Sequence, residues 1–486
     1  MSELSMRVPV SIAALLAVCA GLPAQTDSVD PLHIGSVTVS GTIHERYEDW
    51  DFFPSKGESS YGYSGSLLRL MLSQKKHGYD WGIELAAPIL LGIPNHAVQP
   101  APQGQLGLGG SYFAANDGRQ NTASVFVKQA FLRLKGERSS VRLGRFEFID
   151  GGEVTPSDAT LASVKRDRIS QRLIGNFGFS DVQRSFDGAQ YTYSNGSWNV
   201  TAFSAVPDRG VFQVDGWGWV TTPVTYLSLT KQATLGSSRA EWRLFGIYYN
   251  DDRGVLKTDN RSAAVRGHDL GGIDIGTYGG HYIQTIPTSA GTFDVLGWGA
   301  LQSGRWGLLT QRSGAGAVEA GFQPAIPKAG RPWLRGGYFY SSGDNNANDG
   351  THGTFFAILP TPRVYARFPF FNEMNNRDLF GELMLRPTKA LTLRSDVHGL
   401  WLANSHDLWY SGGGAFQPWT FGYNGRPSNG KTGLATLYDI SADYQWTRAL
   451  ATGLYFAYAR GGAVAAHIFP GDSNAKFGFV EVNYRF

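Results

Sequence analysis

The sequence predicts an all-β protein, a transmembrane antiparallel β-barrel of about 18 strands within a range of roughly 16 to 20. Three observations support this fold class. The composition is poor in charge and rich in glycine and aromatic rings, much of the chain alternates with period two, and its connections fall into two length classes. A soluble β-sandwich also alternates, but it has no need to sort its connections by length. Short turns at one end and long loops at the other are typical of a membrane barrel.

The composition argues against several other classes. Charged residues make up 17% of the 486-residue chain, below the roughly 25% of an average soluble domain. An aromatic content of 13% argues against disorder, and a mean hydropathy of -0.21 argues against a helical membrane protein. A net charge of +3 is too small to predict a nucleic-acid partner. Cys19 is the one cysteine of the sequence and excludes an intramolecular disulfide.

Period-two alternation predicts half-buried strands in many places. In the segment 391–401, apolar residues share one face with Leu391, and polar residues share the other with Arg394. The segments 37–47, 79–85 and 438–446 alternate in the same way. The segment 271–316 is harder to divide, because Gly279-Gly280 can be read either as a turn or as part of a strand.

The connections between these strands are of two kinds. Short turns are predicted at Lys76-His77-Gly78, Asn195-Gly196, Ser303-Gly304, Arg386-Pro387-Thr388-Lys389 and Trp446-Thr447-Arg448. Long polar, glycine-rich segments are predicted at about 95–122, 150–184, 342–376, 402–434 and 460–475. The two kinds tend to alternate along the chain, as they do in a barrel whose short turns face the periplasm.

The N-terminal residues have the pattern of a Sec signal peptide. A charged start is followed by an apolar stretch from Val8 to Ala20, which is too short to span a membrane. We expect a signal peptide over residues 1–24 and a single barrel domain over 25–486, with cleavage after Ala20 as the rival. The lipobox-like stretch that ends at Cys19 is a weak match, because Val18 is bulkier than the small residue expected there.

The C-terminal residues 479–486 alternate and end on Phe486. Val480, Val482 and Tyr484 share a face with this phenylalanine. A terminal strand of this kind resembles the assembly signal of bacterial outer-membrane proteins. We therefore expect the protein in the bacterial outer membrane, surrounded by lipid, with Phe486 recognised by the barrel assembly machinery.

Several stretches resemble the alginate-export family of outer-membrane barrels. They are Thr38–Glu48, Val141–Phe148, Arg168–Phe179, Arg184–Gly188, Phe370–Leu379 and Leu391–Ala442. Together they span most of the mature chain. The resemblance implies a monomeric barrel, with an electropositive constriction that passes an acidic polysaccharide. It implies the fold and the channel class more strongly than alginate itself.

Arginine is the residue type that transit of a polyanion would use, since its planar guanidinium pairs with carboxylates and stays charged. Basic residues with inward parity are Arg46, Arg133, Arg335, Arg394 and Arg485. Arg142 and Arg145 have opposite parities about Gly144, so one of the two depends on a local kink. For each of these arginines there is an alternative role, in which it pairs with a carboxylate of the barrel and stabilises the wall.

The densest basic cluster lies in the long segment 150–184 and continues to Arg184. The resemblance suggests that this segment folds into the lumen and helps to form the constriction. Arg168, Arg172 and Arg184 are then the candidates for ligand contact. Asp167 and Asp187 are candidate partners of these arginines.

No catalytic or metal motif emerges. Asp344–Gly350 has the acidic spacing of a calcium loop, but the bidentate glutamate expected at the end of such a loop is Phe355. HExxH and G-x-S-x-G motifs are absent from the sequence. Ser405, His406 and Asp407 are adjacent and therefore cannot converge as a triad. We expect no enzyme activity and no cofactor.

The sequence thus predicts a channel or porin that passes anionic or polar saccharides by facilitated diffusion through an arginine-lined lumen. A general nutrient-uptake porin is one alternative. A plugged structural or enzymatic outer-membrane barrel is the other.

Overall fold

The computed structural model describes residues 31–55, 57–326, 330–361 and 367–486. The predicted signal peptide lies outside the described residues. Within them, a single sheet closes on itself as an antiparallel barrel of 18 strands, as predicted. The first and last barrel strands pair from Thr42 with Arg485 to Asp51 with Lys476. Closure satisfies the backbone polar groups of every strand without leaving an edge in the membrane.

The barrel strands are numbered in chain order. They are β1 (Val37–Asp51), β2 (Ser60–Lys75), β3 (Tyr79–Leu91), β4 (Phe126–Lys135), β5 (Ser139–Phe146), β6 (Phe186–Asn195), β7 (Trp198–Pro207), β8 (Val224–Leu235), β9 (Ser238–Asp251), β10 (Ile273–Thr288), β11 (Gly291–Trp306), β12 (Leu309–Pro324), β13 (Trp333–Ser341), β14 (Asn376–Leu385), β15 (Leu391–Leu402), β16 (Gly433–Gln445), β17 (Leu450–Gly461) and β18 (Asn474–Arg485).

Short elements decorate this barrel. Short strands at Leu32–Ile34, Thr122–Ala123 and Thr351–His352 pair with β1, β3 and β12, and Leu408–Gly412 pairs with Tyr423–Pro427 in a separate hairpin. Helices cover Gly107–Ala115, Ala159–Val164, Ala263–Gly267 and Ala463–Ile468, and one turn of π-helix covers Lys165–Ile169. None of the helices in the described residues is long and apolar enough to cross a membrane.

The connections sort by end, as predicted. One end of the barrel, called here the turn end, carries short turns such as Gly196-Ser197 between β6 and β7. The other end, called the loop end, carries the connections 92–125, 147–185, 342–375, 403–432 and 462–473. These five lie within a few residues of the predicted segments. The connections 208–223 and 252–272 are further loops at the same end.

The segment 271–316 corrects one prediction. Ser303-Gly304 is not a turn, because both residues lie inside β11 and Gly304 is paired with Ile275 and Gln311. The chain turns instead at Gly307-Leu308, which makes this loop-end connection only two residues long. Gly279-Gly280 likewise continues β10. Glycine inside a strand can mark the close approach of a neighbouring backbone instead of a turn. For this reason the turn was predicted at Ser303-Gly304, a few residues before its actual position.

Alternation places charge inside and apolar side chains outside. In β1, Arg46 and Glu48 are buried in the interior, while Ile43 and Tyr47 are exposed on the outer face. An exposed apolar face of this kind is what a strand presents to lipid. The interior at the loop end is filled by loop side chains, many of them aromatic, among them Phe177, Phe370 and Trp409.

The outward position of Leu244 generates a stability prediction. Leu244 lies near the middle of β9 and is 59% exposed. Replacing it by arginine should place a charge near the bilayer midplane and cost about 2–4 kcal/mol of folding free energy, whereas Leu235→Arg at the turn end should cost about 0–1 kcal/mol. Guanidinium unfolding of the barrel in lipid vesicles measures both values. Equal costs for the two variants would contradict the assignment of the outer face.

Candidate functional site

The connection 147–185, called here the insert, runs inside the barrel along its length. The insert begins and ends at the loop end, yet Gln323 near the turn end of β12 donates a hydrogen bond from Nε2 to Thr160 Oγ1 at 3.0 Å. Ser157 and Asp158 line a groove together with the turn-end residues Gly196 and Ser197. The insert therefore lies in the lumen, as expected from the sequence.

The middle of the insert is anchored to the barrel wall by buried ion pairs. Arg168 Nε lies 2.9 Å from Glu319 Oε2, and Arg335 Nη2 on β13 lies 2.9 Å from the same oxygen. Arg172 Nη2 is 3.9 Å from Glu319 Oε1, and its guanidinium stacks 4.6 Å from the Trp298 ring. Arg335 also pairs with Asp294. These three predicted arginines are thus buried and engaged with the protein itself.

Arg46 holds the returning part of the insert against β1. Its Nε donates to Glu48 at 2.8 Å, and its Nη2 lies 3.2 Å from Asp181 Oδ1. The guanidinium also lies 4.2 Å from the Phe179 ring. The Arg46 side chain therefore has a counter-ion on the wall and a second one on the insert.

Arg184 ties three loops together through carbonyl oxygens. Its guanidinium donates to the carbonyls of Gly175 at 3.1 Å, Leu359 at 3.0 Å and Gly413 at 2.9 Å. These carbonyls belong to the insert and to the connections 342–375 and 403–432. Burial lowers the pKa of Arg184 to about 10. The contacts make Arg184 a clamp between loops.

The remaining predicted residues lie at other depths. Arg133 points inward near the turn end, with Nε 2.8 Å from Asp80 Oδ1. Arg145 and Asp187 differ from the expected position, since they share the outward parity of Leu143 and pair with each other at 2.6 Å. Alternation runs through Gly144 without a shift of register, so no kink turns Arg145 inward. Gly144 itself has φ of +113°, and a Cβ there would lie 2.3 Å from the carbonyl oxygen of Ala130. Arg485 is exposed at the end of β18.

A charged cavity of about 590 Å³ lies between the insert and the wall of β14 to β16. It is at the turn end, because Arg386 directly follows β14 and Thr392 is the second residue of β15. Four arginines and two aspartates line it: Arg166, Arg367, Arg386, Arg394, Asp167 and Asp443. The lining therefore has a net charge of +2.

Arg394 is the one predicted arginine among those that line this cavity, and the predicted partner Asp167 lines it as well. Its Nη2 lies 3.3 Å from Glu382 Oε2 and 3.9 Å from Asp167 Oδ2, so no single carboxylate neutralises it fully. Arg166 pairs with Asp167 at 2.7 Å, and its side chain remains 65% exposed.

Sequence reasoning missed Arg367 and Arg386, and it counted Arg166 in the densest basic cluster without choosing it as a candidate for ligand contact. Arg386 stands in a motif that was interpreted only as a turn, and among the described residues no carboxylate oxygen is recorded within 4.0 Å of its guanidinium. Burial and the neighbouring Arg166 lower the pKa of Arg386. A basic residue at the junction of strand and turn was the signal that could have found it.

Asp407 is a buried carboxylate at the loop end. It accepts hydrogen bonds from the Thr354 hydroxyl at 2.6 Å, the Tyr410 hydroxyl at 2.7 Å and the Asp344 backbone N–H at 2.9 Å. Burial raises the pKa of Asp407 to about 6. These contacts connect the two loops 342–375 and 403–432. In the described part of the chain, no group of three or more His, Cys, Asp or Glu side chains is arranged to hold a metal ion.

Together, the closed barrel, its apolar outer face and the charged interior define a channel protein of the bacterial outer membrane. The short turns then face the periplasm and the loops face the exterior. The model of the alginate export family matches residues 113–473, and the chain belongs to this family. A search of curated proteins finds no match.

Solved structures of similar fold are outer-membrane proteins. OpdK from Pseudomonas aeruginosa has a TM-score of 0.53 at 9% identity, covering 92% of this chain and 98% of that one. OccAB4 from Acinetobacter baumannii has a TM-score of 0.53 at 9% identity, covering 93% and 98%. OccK9 (OpdG) from Pseudomonas aeruginosa has a TM-score of 0.54 at 11% identity, covering 93% and 98%. At this identity the likeness shows the fold alone.

The shared carboxylate of Glu319 leads to a prediction about the insert. Glu319→Gln removes the carboxylate that Arg168 and Arg335 share, and breaking a buried pair in this way costs about 3–5 kcal/mol. We expect hydrogen exchange of residues 159–172 to become faster. Glu382→Gln is the control, because Glu382 pairs with Arg394 on the wall and not with an arginine of the insert. Equal exchange in both variants would show that Glu319 does not anchor the insert.

The raised pKa of Asp407 leads to a prediction about pH. A carboxyl group whose pKa is raised in the folded state stabilises that state below its ordinary pKa of about 3.8, and this contribution is lost as the pH rises through about 6. After correction for intrinsic rates, residues 403–412 should exchange more slowly at about pH 5 than at about pH 7.5. Asp407→Asn should remove that difference.

The matched control for this pH response is Asp150→Asn. The pKa of Asp150 is also raised to about 6 by burial, but its carboxylate accepts from the backbone N–H groups of Leu173 and Ile174 in the insert. The pH difference at residues 403–412 should therefore persist in this variant. Its persistence in Asp407→Asn would be evidence against the role of Asp407.

Proposed function

We propose that this protein is a channel through which anionic or polar saccharides cross the outer membrane by facilitated diffusion, along the cavity between the insert and β14 to β16. The observation that carries the proposal is the net positive lining of that cavity, four arginines against two aspartates. Fixed positive charge lowers the electrostatic barrier for a string of carboxylates. Family membership supports the channel class.

The arrangement of the arginines suits passage better than tight binding. Arg394 is shared between Glu382 and Asp167, and Arg367 Nη2 lies 3.4 Å from Asp443. Partly neutralised cations can exchange their carboxylate partners for those of a solute and then take them back. Favourable entry matched by easy exit is the condition for conduction.

The predicted arginines outside the cavity receive a different role. Arg46, Arg168, Arg172, Arg184 and Arg335 are buried against the protein. We propose that they fix the insert and the loops, so that the passage lies on one side of the lumen. Bracing was the alternative that the sequence left open for each of them.

A plugged barrel is the second candidate, and one observation favours it. Loop residues pack an aromatic cluster across the loop-end interior, where Phe53, Phe370 and Trp409 contact one another with ring centroids 5.5 to 6.3 Å apart. Transport requires these loops to move aside. A general nutrient-uptake porin is the weaker alternative, because the lining is charged.

The proposal includes surroundings that the sequence predicted. The exposed face of β18, with Val480, Val482 and Tyr484, contacts lipid. Phe486, which follows this strand, is the proposed contact of the barrel assembly machinery. The protein acts as a monomer without a cofactor.

Conductance of the refolded barrel in planar bilayers tests the channel. In a salt gradient we expect anion-selective current that polymannuronate blocks and a neutral oligosaccharide does not. One charge about 7 Å away in water is worth about 0.6 kcal/mol, or roughly threefold in local anion concentration. The double variant Arg166→Gln and Arg386→Gln should therefore lower the local anion concentration about three- to ninefold. The anion-to-cation permeability ratio should fall by at least this factor, because the local cation concentration rises at the same time.

Arg239→Gln is the matched control. Arg239 also lies at the turn end, but it lines the groove on the other side of the insert. Its removal should leave selectivity nearly unchanged. Equal loss in both proteins would place the passage elsewhere. If the folded barrel carries no current, the plugged barrel is favoured. If neither sugar changes the current, the general nutrient-uptake porin is favoured.

A further inference from the structure

We propose that a small cavity beneath the loop end binds an inorganic monoanion of chloride size, held by Arg426. Arg426 lies in the short strand Tyr423–Pro427, which is not one of the 18 strands of the barrel wall. The cavity has a volume of about 30 Å³. Its polar lining is Gln105, Ser111, Ser411, Asn424 and Arg426. This site lies apart from the turn-end cavity, so it stands independently of the proposed transport function.

The Arg426 guanidinium is buried among rings and neutral groups. It is 2% exposed and lies 4.6 Å from the Trp409 ring. Its Nε donates to the Gln103 carbonyl at 2.8 Å, and its Nη2 donates to the Gln105 carbonyl at 2.6 Å. The contact from Nη1 to Ser411 Oγ is long, at 3.4 Å. Of the five N–H donors of a guanidinium, two therefore remain for a ligand.

No carboxylate oxygen lies within 4.0 Å of Arg426 among the residues that the structure describes. Arg253 provides the contrast, because it ties down the same loop through the carbonyls of Gln417 and Thr420 and also pairs with Asp251 at 2.7 Å. A buried charge without a counter-ion is costly. Burial accordingly lowers the pKa of Arg426 to about 10. An anion in the adjacent cavity would supply the missing charge.

The cavity fits a small anion and excludes a sugar. A volume of about 30 Å³ holds one or two water-sized groups. The Ser111 hydroxyl and one N–H of the Asn424 amide donate to Gln105 Oε1, at 3.0 and 2.9 Å. The second N–H of Asn424 and the hydroxyl of Ser411, which accepts from Arg426, are left to donate to an anion in the cavity. Donors on several sides of one cation suit a spherical monoanion. The hydrogen bond from Asn424 to Gln105 already joins the connections 403–432 and 92–125 beside this cavity.

Bromide is the probe for this site, since it resembles chloride and scatters anomalously. Crystals of the full barrel in sodium bromide should show an anomalous peak within hydrogen-bond distance of Arg426 Nη1. In solution, bromide at ten times its dissociation constant should lower the apparent unfolding equilibrium constant about elevenfold, relative to gluconate at equal ionic strength. Gluconate is too large for the cavity.

Three variants separate anion binding from simple stability. Arg426→Gln should lose both the peak and the bromide effect. Ser111→Leu keeps the cation but fills the cavity, and it should lose both as well. Arg253→Gln should be less stable, yet retain the full bromide effect. Absence of the peak in the wild-type protein, or a bromide effect that persists in both Arg426→Gln and Ser111→Leu, would overturn the proposal.

Discussion

The buried ion pairs between the insert and the wall are the interactions on which the rest of the interior depends. One carboxylate, Glu319, accepts Arg168 from the insert and Arg335 from β13 at the same 2.9 Å distance. A charge pair in such a setting stabilises little by itself, but leaving either partner unpaired is costly. These pairs hold the middle of the insert against the wall, and the turn-end cavity lies between the insert and β14 to β16.

The loops above the insert are linked by a second principle. Arg184 and Arg426 donate to backbone carbonyls instead of carboxylates, so each guanidinium joins segments that are distant in sequence. Such contacts give hydrogen-bond donors to backbone carbonyls in the loops. In a helix or a sheet, backbone N–H groups would fill that role. They leave the positive charge uncompensated, and the two arginines accordingly have lowered pKa values. Holding the loops together in this way therefore costs the free energy of burying two positive charges.

The fold followed from the sequence because a strand has a period of two and a membrane barrel sorts its connections by length. The same parity placed Arg394 correctly on the inner face. Arg145 could be inward only if the strand were kinked at Gly144, and the strand instead alternates regularly through that glycine. The partners of Arg184 at Gly175, Leu359 and Gly413 could not be predicted, because a carbonyl oxygen has no signature in the sequence. Arg386 was overlooked for a different reason, because its motif was interpreted only as a turn although a basic residue stood at the end of a strand.

The off-axis position of the turn-end cavity has a consequence for how such a protein can diversify. A solute that travels between the insert and β14 to β16 meets few side chains from the other strands. Substitutions on three consecutive strands can then change what is admitted, while the pairs that anchor the insert on β9, β12 and β13 stay intact. In the proposed channel, structural support and solute discrimination therefore lie mainly on separate arcs of the barrel circumference. Five of the twelve residues that line the cavity come from residues 376–445, five come from the insert, and two come from the connection 342–375.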